Sequence, residues 1–287
     1  MSPANGVAAL APPPPGRQLR VMGILNVTPD SFSDGGRWAA TDTAVAHGLQ
    51  LRDSGADLVD IGGESTRPGA HRVPPEVELK RVIPVVRALA GAGVVCSVDT
   101  TRASVADAAI DAGASVINDV SGGLADPEMS RVMAASGLPW VLMHWRAPSV
   151  EMNDHASYEN VVTEVRRELC RQIDAALAAG VDAGNILIDP GLGFAKRSGH
   201  NWTLLHELDI FVALGFPVLV GASRKRFLPP SGETPGSVAD LAARDQATAV
   251  ISSLVAMAGG WGVRVHEATS SARAAEVAHL IRTADPR

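Results

Sequence analysis

The chain has 287 residues, of which 46% are hydrophobic and 20% are charged. This composition is typical of a globular protein with a sizeable core, and the length permits either two modest domains or one large α/β barrel. The net charge of −6 argues against a protein that coats nucleic acid, because such a protein needs a basic surface. It leaves room for a local cationic pocket.

The N-terminal segment has a composition of its own. The run Pro12–Gly16 cannot join a helix or a central strand, and no basic stretch precedes an apolar core as in a secretory signal. Residues 1–18 are therefore predicted to be a disordered tail, and residues 19–287 a single domain. The chain has two cysteines, Cys96 and Cys170, without CxxC spacing, which argues against a disulfide framework and indicates a reducing cytoplasm.

Eight short apolar runs recur along the chain. They are rich in β-branched residues on consecutive positions, as strands buried on both faces require. The runs are Val21–Leu25, Leu58–Ile61, Val94–Val98, Val116–Ile117, Trp140–Met143, Ile186–Ile188, Val218–Val220 and Val263–Val265. Segments with helical spacing separate them, among them Asp42–Ser54, Pro75–Ala92, Arg102–Ala112 and Tyr158–Ala179.

Helix boundaries and longer connections complete this pattern. Thr41 or Asp42 is predicted to cap the first helix, Asp126-Pro127 to open another, and Gly180 and Gly215 to follow helix ends. Pro229–Val238 is predicted to be a mobile loop. Ala247–Gly262 falls short of the roughly 20 residues of a membrane span, and is predicted to be a buried helix at a subunit interface.

An unbroken β–α rhythm of this kind predicts an α/β fold with one domain, a (β/α)8 or TIM barrel. A doubly wound sheet is the alternative, but no GxGxxG follows the first strand. In a barrel, residues at the C-terminal strand ends share one rim, where catalytic groups lie. The polar residues at those ends are Asn26, Asp60, Asp99, Asn118, Asp119, His144, Asp189, Ser223, Arg224, Lys225, Arg264 and His266.

Each of these residues also has a structural interpretation. A single Asp or Asn after a strand is more often a turn former or helix cap, and we favour that role for Asp60, Asp119 and Ser121. Glu64 fits either role, and His144 is interpreted as a hydrogen-bonded support for the site. Capping does not explain why carboxylates, an amide, a lysine and an arginine recur around one rim.

The chemistry of this set indicates its ligand. Asp99, Asn118 and Asp189 offer acceptors suited to the N–H edge of a planar, amidine-like ring. A cationic group would bind a phosphorylated moiety, and Asn26 offers a neutral oxygen suited to Mg²⁺. The hydrogen-bond donors for that moiety are Lys225, Arg264 and His266, together with Thr66 and Arg67. Glycine-rich loops after the first two strands would close over a planar heterocycle carrying a diphosphate.

Seven stretches resemble the signatures of the dihydropteroate synthase family, and further details, Met143–Arg146 and Ala195-Lys196 before His200–Trp202, look most like its actinobacterial branch. They follow in order from about Val21 to the C-terminus, and the long first loop is the most specific. The stretches are Asn26–Gly36, Gly62–Gly69, Ser97–Thr100, Ile117–Gly123, Asp189–Phe194, Gly221–Lys225 and Arg264–His266.

The resemblance implies an enzyme that joins 6-hydroxymethyl-7,8-dihydropterin diphosphate to p-aminobenzoate by an SN1-like path, as a homodimer with Mg²⁺. It implies that sulfonamides compete with p-aminobenzoate. The resemblance implies that Asp34, Asp99 and Lys225 are catalytic. It implies pterin binding by Asp99, Asn118, Met143, Asp189, Lys225 and Arg264. It implies diphosphate binding by Asn26, Thr66, Arg67, Arg264 and His266, with Asn26 also the metal ligand. It implies p-aminobenzoate binding by Pro29, Phe32, Thr66, Phe194 and Ser223, and makes Asp60 and His144 supporting residues.

Two other functions remain open at this stage. A pterin-binding paralogue without synthase activity would keep the ring-binding residues and lose the loop chemistry, whereas both loops are intact here. A corrinoid-linked methyltransferase on a related barrel would not be expected to carry the first loop or the Ser-Arg-Lys element.

Overall fold

The computed structural model describes residues 10, 12–28, 37–64, 72–148, 151–152 and 154–285, with the backbone alone for 37–40. Short strands form wherever the apolar runs occur, because consecutive β-branched residues are buried on both faces of a sheet. The strands are β1 Arg20–Asn26, β2 Leu58–Gly62, β3 Cys96–Asp99, β4 Val116–Asp119, β5 Trp140–Met143, β6 Ile186–Asp189, β7 Leu219–Val220 and β8 Gly262–Val265.

The eight strands form one parallel sheet in the order β6-β5-β4-β3-β2-β1-β8-β7. The two ends of this order meet through a parallel bridge between Ile188 and Val218, with Ile188 donating to the carbonyl of Pro217 at 2.9 Å. The sheet is therefore closed into a barrel, and helices alternate with its strands. The predicted (β/α)8 fold is confirmed.

The helices lie between successive strands along the chain. They are α1 Arg37–Asp53, α2 Pro75–Gly91, α3 Ala103–Ala112, α4 Met129–Ser136, α5 Val161–Ala178, α6 Ser198–His206, α7 Leu208–Val212, α8 Val238–Met257 and α9 Ala268–Thr283. Gly180 and Gly215 follow helix ends as predicted, with positive φ angles of 92° and 84° that favour glycine.

Two predicted helix starts are wrong. The first helix begins at Arg37, so Thr41 and Asp42 lie inside it and do not cap it. The helix predicted from Tyr158 begins at Val161, because the side chain of Asn160 accepts from the backbone N–H of Thr163 at 3.0 Å. In both cases the helical spacing alone did not distinguish the first turn from its flanks.

Two apolar layers stabilise the barrel. Strand residues that point outward pack against the helices in one large core. Those that point inward form a smaller cluster inside the barrel, made by Met22, Leu58, Val116, Val141, Leu187 and Leu219. This inner cluster fills the N-terminal part of the barrel, so any site must lie above it.

The outer surface of α8 and α9 is apolar and exposed. We call it the α8/α9 face, formed by Val250, Leu254, Met257, Val277, Leu280 and Ile281. Leu254 is 62% exposed and Leu280 is 67% exposed. The predicted helix over Ala247–Gly262 ends at Met257, and its burial at a subunit interface stays a prediction, because its outward side is exposed in the single chain. Within the described ranges, no helix is both long and apolar enough to cross a membrane.

Four described residues of the predicted tail contact the barrel. Leu10 packs against the inner cluster, and the carbonyl of Pro12 accepts from Arg20 at 3.0 Å. Arg17 donates to the carbonyl of Gly55 at 2.9 Å and pairs with Asp57, and Gln18 hydrogen-bonds His279 at 2.9 Å. These four residues are anchored, and the predicted division at residue 18 otherwise stays a prediction. Cys96 and Cys170 are both free thiols, the first buried and the second half-buried.

Candidate active site

The alternation of side chains along the strands builds the site. Each apolar residue of the inner cluster is followed, two positions later, by another inward-pointing residue that is nearer the rim. On four of the strands this second residue is polar or polarisable: Asp60 after Leu58, Asn118 after Val116, Met143 after Val141, and Asp189 after Leu187. Asp99 on β3 and Arg264 on β8 point inward by the same alternation, because their neighbours Val98 and Val265 belong to the outer core.

Asp60 lies at the centre of this layer and is fully buried. It accepts hydrogen bonds from the Ser97 hydroxyl at 2.6 Å, from Nδ2 of Asn118 at 2.9 Å and from Nε of Arg264 at 2.5 Å. The bond from Nδ2 orients the amide, so that Oδ1 of Asn118 remains as an acceptor. Asp60 therefore does not form a turn or cap, and that prediction is wrong; it positions two predicted ring-binding residues.

Arg264 joins Asp60 to Asp99. Its Nη2 donates to Oδ2 of Asp99 at 2.7 Å, while its Nε bonds Asp60, so one guanidinium bridges two strands. Burial raises the pKa of Asp99 to about 7, although Arg264 opposes that shift. The nearby carboxylates raise the pKa of Arg264, which stays charged.

Asp189 and Lys225 occupy the opposite side of the layer. A side chain at Gly221 would have its Cβ within 4.0 Å of Nζ of Lys225, Oδ2 of Asp189 and Cβ of Arg264, so these three groups converge on one small space. Burial raises the pKa of Asp189 and lowers that of Lys225, to about 8, while each charge opposes the shift of the other. The pair forms a dry, polar corner that a planar ring could complete.

Phe194 lies directly against Lys225. Nζ of Lys225 is 4.7 Å from the centroid of the Phe194 ring, and it also donates to the carbonyl of Leu192. The structure therefore brings a residue predicted for the pterin and one predicted for p-aminobenzoate into contact.

The other described residues lie around this centre. Ser223 Oγ bonds Nδ1 of His266 at 3.0 Å, which joins a residue predicted for p-aminobenzoate to one predicted for the diphosphate. Met143 is paired in register with Asp189. Asn26 is paired with Gly62, which is paired with Asp99, so Asn26 belongs to the same rim.

Five predicted site residues lie outside the described part of the chain. They are Pro29, Phe32, Asp34, Thr66 and Arg67. Glu64 and Arg72, which flank the second of these segments, are hydrogen-bonded to each other at 3.1 Å, and Glu64 also accepts from Nη1 of Arg102 at 2.9 Å. Glu64 thus ties together the two ends of the second loop.

Turn formation is the correct interpretation for Asp119 and Ser121. Asp119 accepts from the backbone N–H and the hydroxyl of Ser121 at 2.8 Å and 2.6 Å, and from the N–H of Gly123. Sequence reasoning missed the buried Lys196, to which it assigned no role in the site. A lysine in a strand-end loop of a barrel was the signal that could have identified it.

Comparisons with known proteins agree with this site. Residues 22–266 match the model of the pterin binding enzyme family. The chain is 54% identical over 261 residues to a dihydropteroate synthase of the actinobacterium Mycobacterium leprae, covering 90% of this chain and 92% of that relative. It is also similar to the Xanthomonas albilineans dihydropteroate synthase solved with 4-aminobenzoic acid, with a TM-score of 0.83 and 44% identity over 93% of this chain and 94% of that one.

A third similarity is to the Yersinia pestis dihydropteroate synthase solved with a sulfonamide drug, with a TM-score of 0.85 and 39% identity. It covers 93% of this chain and 95% of that one. Matches of this identity and coverage extend over the whole barrel and every described motif. The chain therefore belongs to the pterin-binding enzymes and, among them, to the dihydropteroate synthases.

Proposed function

We propose that this chain condenses 6-hydroxymethyl-7,8-dihydropterin diphosphate with p-aminobenzoate, giving 7,8-dihydropteroate and diphosphate. The observation that carries the proposal is the convergence of Asp99, Asn118, Asp189, Lys225 and Arg264 above the apolar floor of the barrel. Inward acceptors on one side and the half-buried Lys225 on the other fit the N–H edge and the carbonyl of a pterin.

The residues support an SN1-like path. Cleavage of the C–O bond at the pterin methylene leaves both electrons on the diphosphate and a cation on the pterin. The carboxylates of Asp99 and Asp189 stabilise that cation in a site with few competing waters. The amine of p-aminobenzoate forms the new C–N bond and then loses a proton to water, so no activated serine or cysteine is needed.

Mg²⁺ is proposed as the cofactor, held by Asn26 and by oxygens of the diphosphate. Across the described ranges, His, Cys, Asp and Glu form no group of three that could hold a metal. One amide oxygen at the rim fits an ion that keeps several waters and substrate phosphates as its other ligands. When bound, Mg²⁺ would supply positive charge that eases departure of the diphosphate.

Diphosphate release should require Mg²⁺ and both substrates together. The measurement is a coupled assay of diphosphate and dihydropteroate, with controls that omit p-aminobenzoate or replace Mg²⁺ by EDTA. Release without dihydropteroate would contradict the proposal. Tight pterin binding without turnover would instead support the alternative, an inactive pterin-binding paralogue. Competition by a sulfonamide against p-aminobenzoate is expected in the same assay.

Pterin binding should be strongest between about pH 7 and 8. The pKa of Asp99 is raised to about 7, so the acceptor is lost as the pH falls through that value. The pKa of Lys225 is lowered to about 8, so the cation is lost as the pH rises through it. Calorimetry with the dihydropterin from pH 5.5 to 9 tests this, and Asp99→Asn should remove the acid limb. An acid limb that persists in that variant would assign it to another group.

We further propose that the protein works in the cytoplasm as a homodimer whose subunits meet through the α8/α9 face. Monomeric proteins rarely expose a contiguous apolar surface of this kind, and a second copy would cover it. Leu254→Glu should shift the mass measured by light scattering from dimer to monomer. Leu124→Glu is the matched control, because Leu124 is similarly exposed but lies away from this face. A mass unchanged by Leu254→Glu would exclude this interface.

A further inference from the structure

A second lysine, Lys196, lies behind the site and is buried. Nζ of Lys196 is 2.8 Å from Nδ1 of His144, 3.0 Å from the carbonyl of Gly191 and 3.1 Å from that of Phe194. These three groups surround Nζ on all sides, and burial lowers the pKa of Lys196 well below its usual value, although Asp189 opposes that shift. None of the three partners is a carboxylate. The contacts therefore fix the position of the Lys196 side chain and do not form an ion pair.

His144 is fixed in one protonation state by its surroundings. Its Nδ1 faces Lys196, and its Nε2 bonds Glu168 at 2.8 Å. A histidine that accepts at Nδ1 and donates at Nε2 is neutral, and burial together with Lys196 lowers its pKa to about 4. Arg146 donates to both oxygens of Glu168, which completes the chain of contacts.

The segment held by Lys196 is the turn Gly191–Lys196, which follows Asp189. Its other polar groups are tied down as well: the Gly191 N–H donates to Asp189 at 2.7 Å, and the Ala195 carbonyl accepts from Tyr158 at 3.0 Å. Ala195 has φ 47°, in the left-handed region that alanine rarely adopts. The turn is therefore held in an unfavourable shape by Asp189, by Tyr158 and, through Lys196, by His144.

We propose that Lys196 is a positioning residue, which fixes the turn Gly191–Lys196 so that Phe194 and Lys225 face p-aminobenzoate in reactive geometry. The inference rests on the proposed function. The link to the site is direct, because this turn supplies the Phe194 ring and the Leu192 carbonyl that contact Nζ of Lys225. Asn118 and Arg264 are held by Asp60, and Asp99 is held by Arg264, so these residues have partners on other strands and make no contact with Lys196.

The test is Lys196→Met, with Lys80→Met as the matched control because Lys80 is exposed on α2. A small displacement of a positioned group can cost about 10²-fold in rate, so kcat/KM for p-aminobenzoate should fall by about that factor. The KM for p-aminobenzoate should rise by a larger factor than the dihydropterin Kd measured by calorimetry. Lys80→Met should leave both unchanged. A purely structural role would lower the Tm or the active fraction while leaving KM unchanged, and that result would overturn the proposal.

Amide hydrogen exchange gives a readout that does not need activity. Lys196→Met should speed exchange in residues 190–197 and leave β3 and β4 protected, whereas unchanged exchange in that segment would overturn the proposal. If Lys196→Met does not fold, His144→Phe is the second variant, because it removes one partner of Lys196 at similar volume. It should raise the KM for p-aminobenzoate severalfold. An unchanged KM in this variant would also overturn the proposal. An inactive wild-type chain would contradict the proposed function, whereas an active wild type with an unaffected variant would contradict this inference alone.

Discussion

Asp189→Asn should weaken dihydropterin binding by about 2–5 kcal/mol, roughly 30-fold to several-thousand-fold in Kd. Asp189 is buried and faces Lys225, so removal of its charge leaves that ammonium without its main partner. The substitution is otherwise conservative, because an asparagine oxygen can still accept from the N–H of Gly191 and keep the turn. The measurement is calorimetry with the dihydropterin at a pH where Lys225 is charged.

The control for this prediction is Asp119→Asn. Asp119 is also buried at the end of a strand of the same barrel, but its hydrogen bonds close a turn. Its substitution should lower stability and leave the dihydropterin Kd nearly unchanged. If the Asp189 variant binds as tightly as the wild type, Asp189 does not hold the ring.

Asp60→Leu should lower the free energy of unfolding by about 3–5 kcal/mol, the usual cost of breaking a buried ion pair by removing one partner. The loss leaves the Ser97 hydroxyl, Nδ2 of Asn118 and Nε of Arg264 without the acceptor that Asp60 supplies, and Arg264 keeps only Asp99. Urea unfolding measures this cost. Because Asn118 and Arg264 then lose their fixed orientation, dihydropterin affinity should fall as well, even in the folded fraction.

Asp60→Asn separates the two effects, since an asparagine keeps an acceptor for Asn118 and removes only the charge opposite Arg264. We expect a smaller loss of stability than in Asp60→Leu and a partial recovery of affinity. Equal affinity in the wild type and Asp60→Leu would show that Asp60 does not position the ring-binding residues.

Much of the fold was predictable from local patterns. Consecutive apolar positions predicted all eight strands, and the positions of Gly180 and Gly215 predicted helix ends. The start of α1 at Arg37 was not predictable, because the residues around it carry no apolar period and no capping residue precedes it. Which apolar residues of α8 face the core was not predictable either, because an apolar residue has the same sequence signal whether it faces the core or another subunit.

The sequence by itself determined which residues reach the rim. The period of two along a buried strand places Asp60, Asn118 and Asp189 two positions above Leu58, Val116 and Leu187, and this follows from backbone geometry alone. Only the tertiary structure decided how these residues pair. Arg264 meets Asp60 across 204 positions, and Lys196 meets His144 across 52, because closure of the barrel brings β8 beside β1 and β5 beside β6. Local periodicity carries no information on such closure, so the role of Asp60 as a positioning residue and the presence of Lys196 behind the site emerged only from the fold.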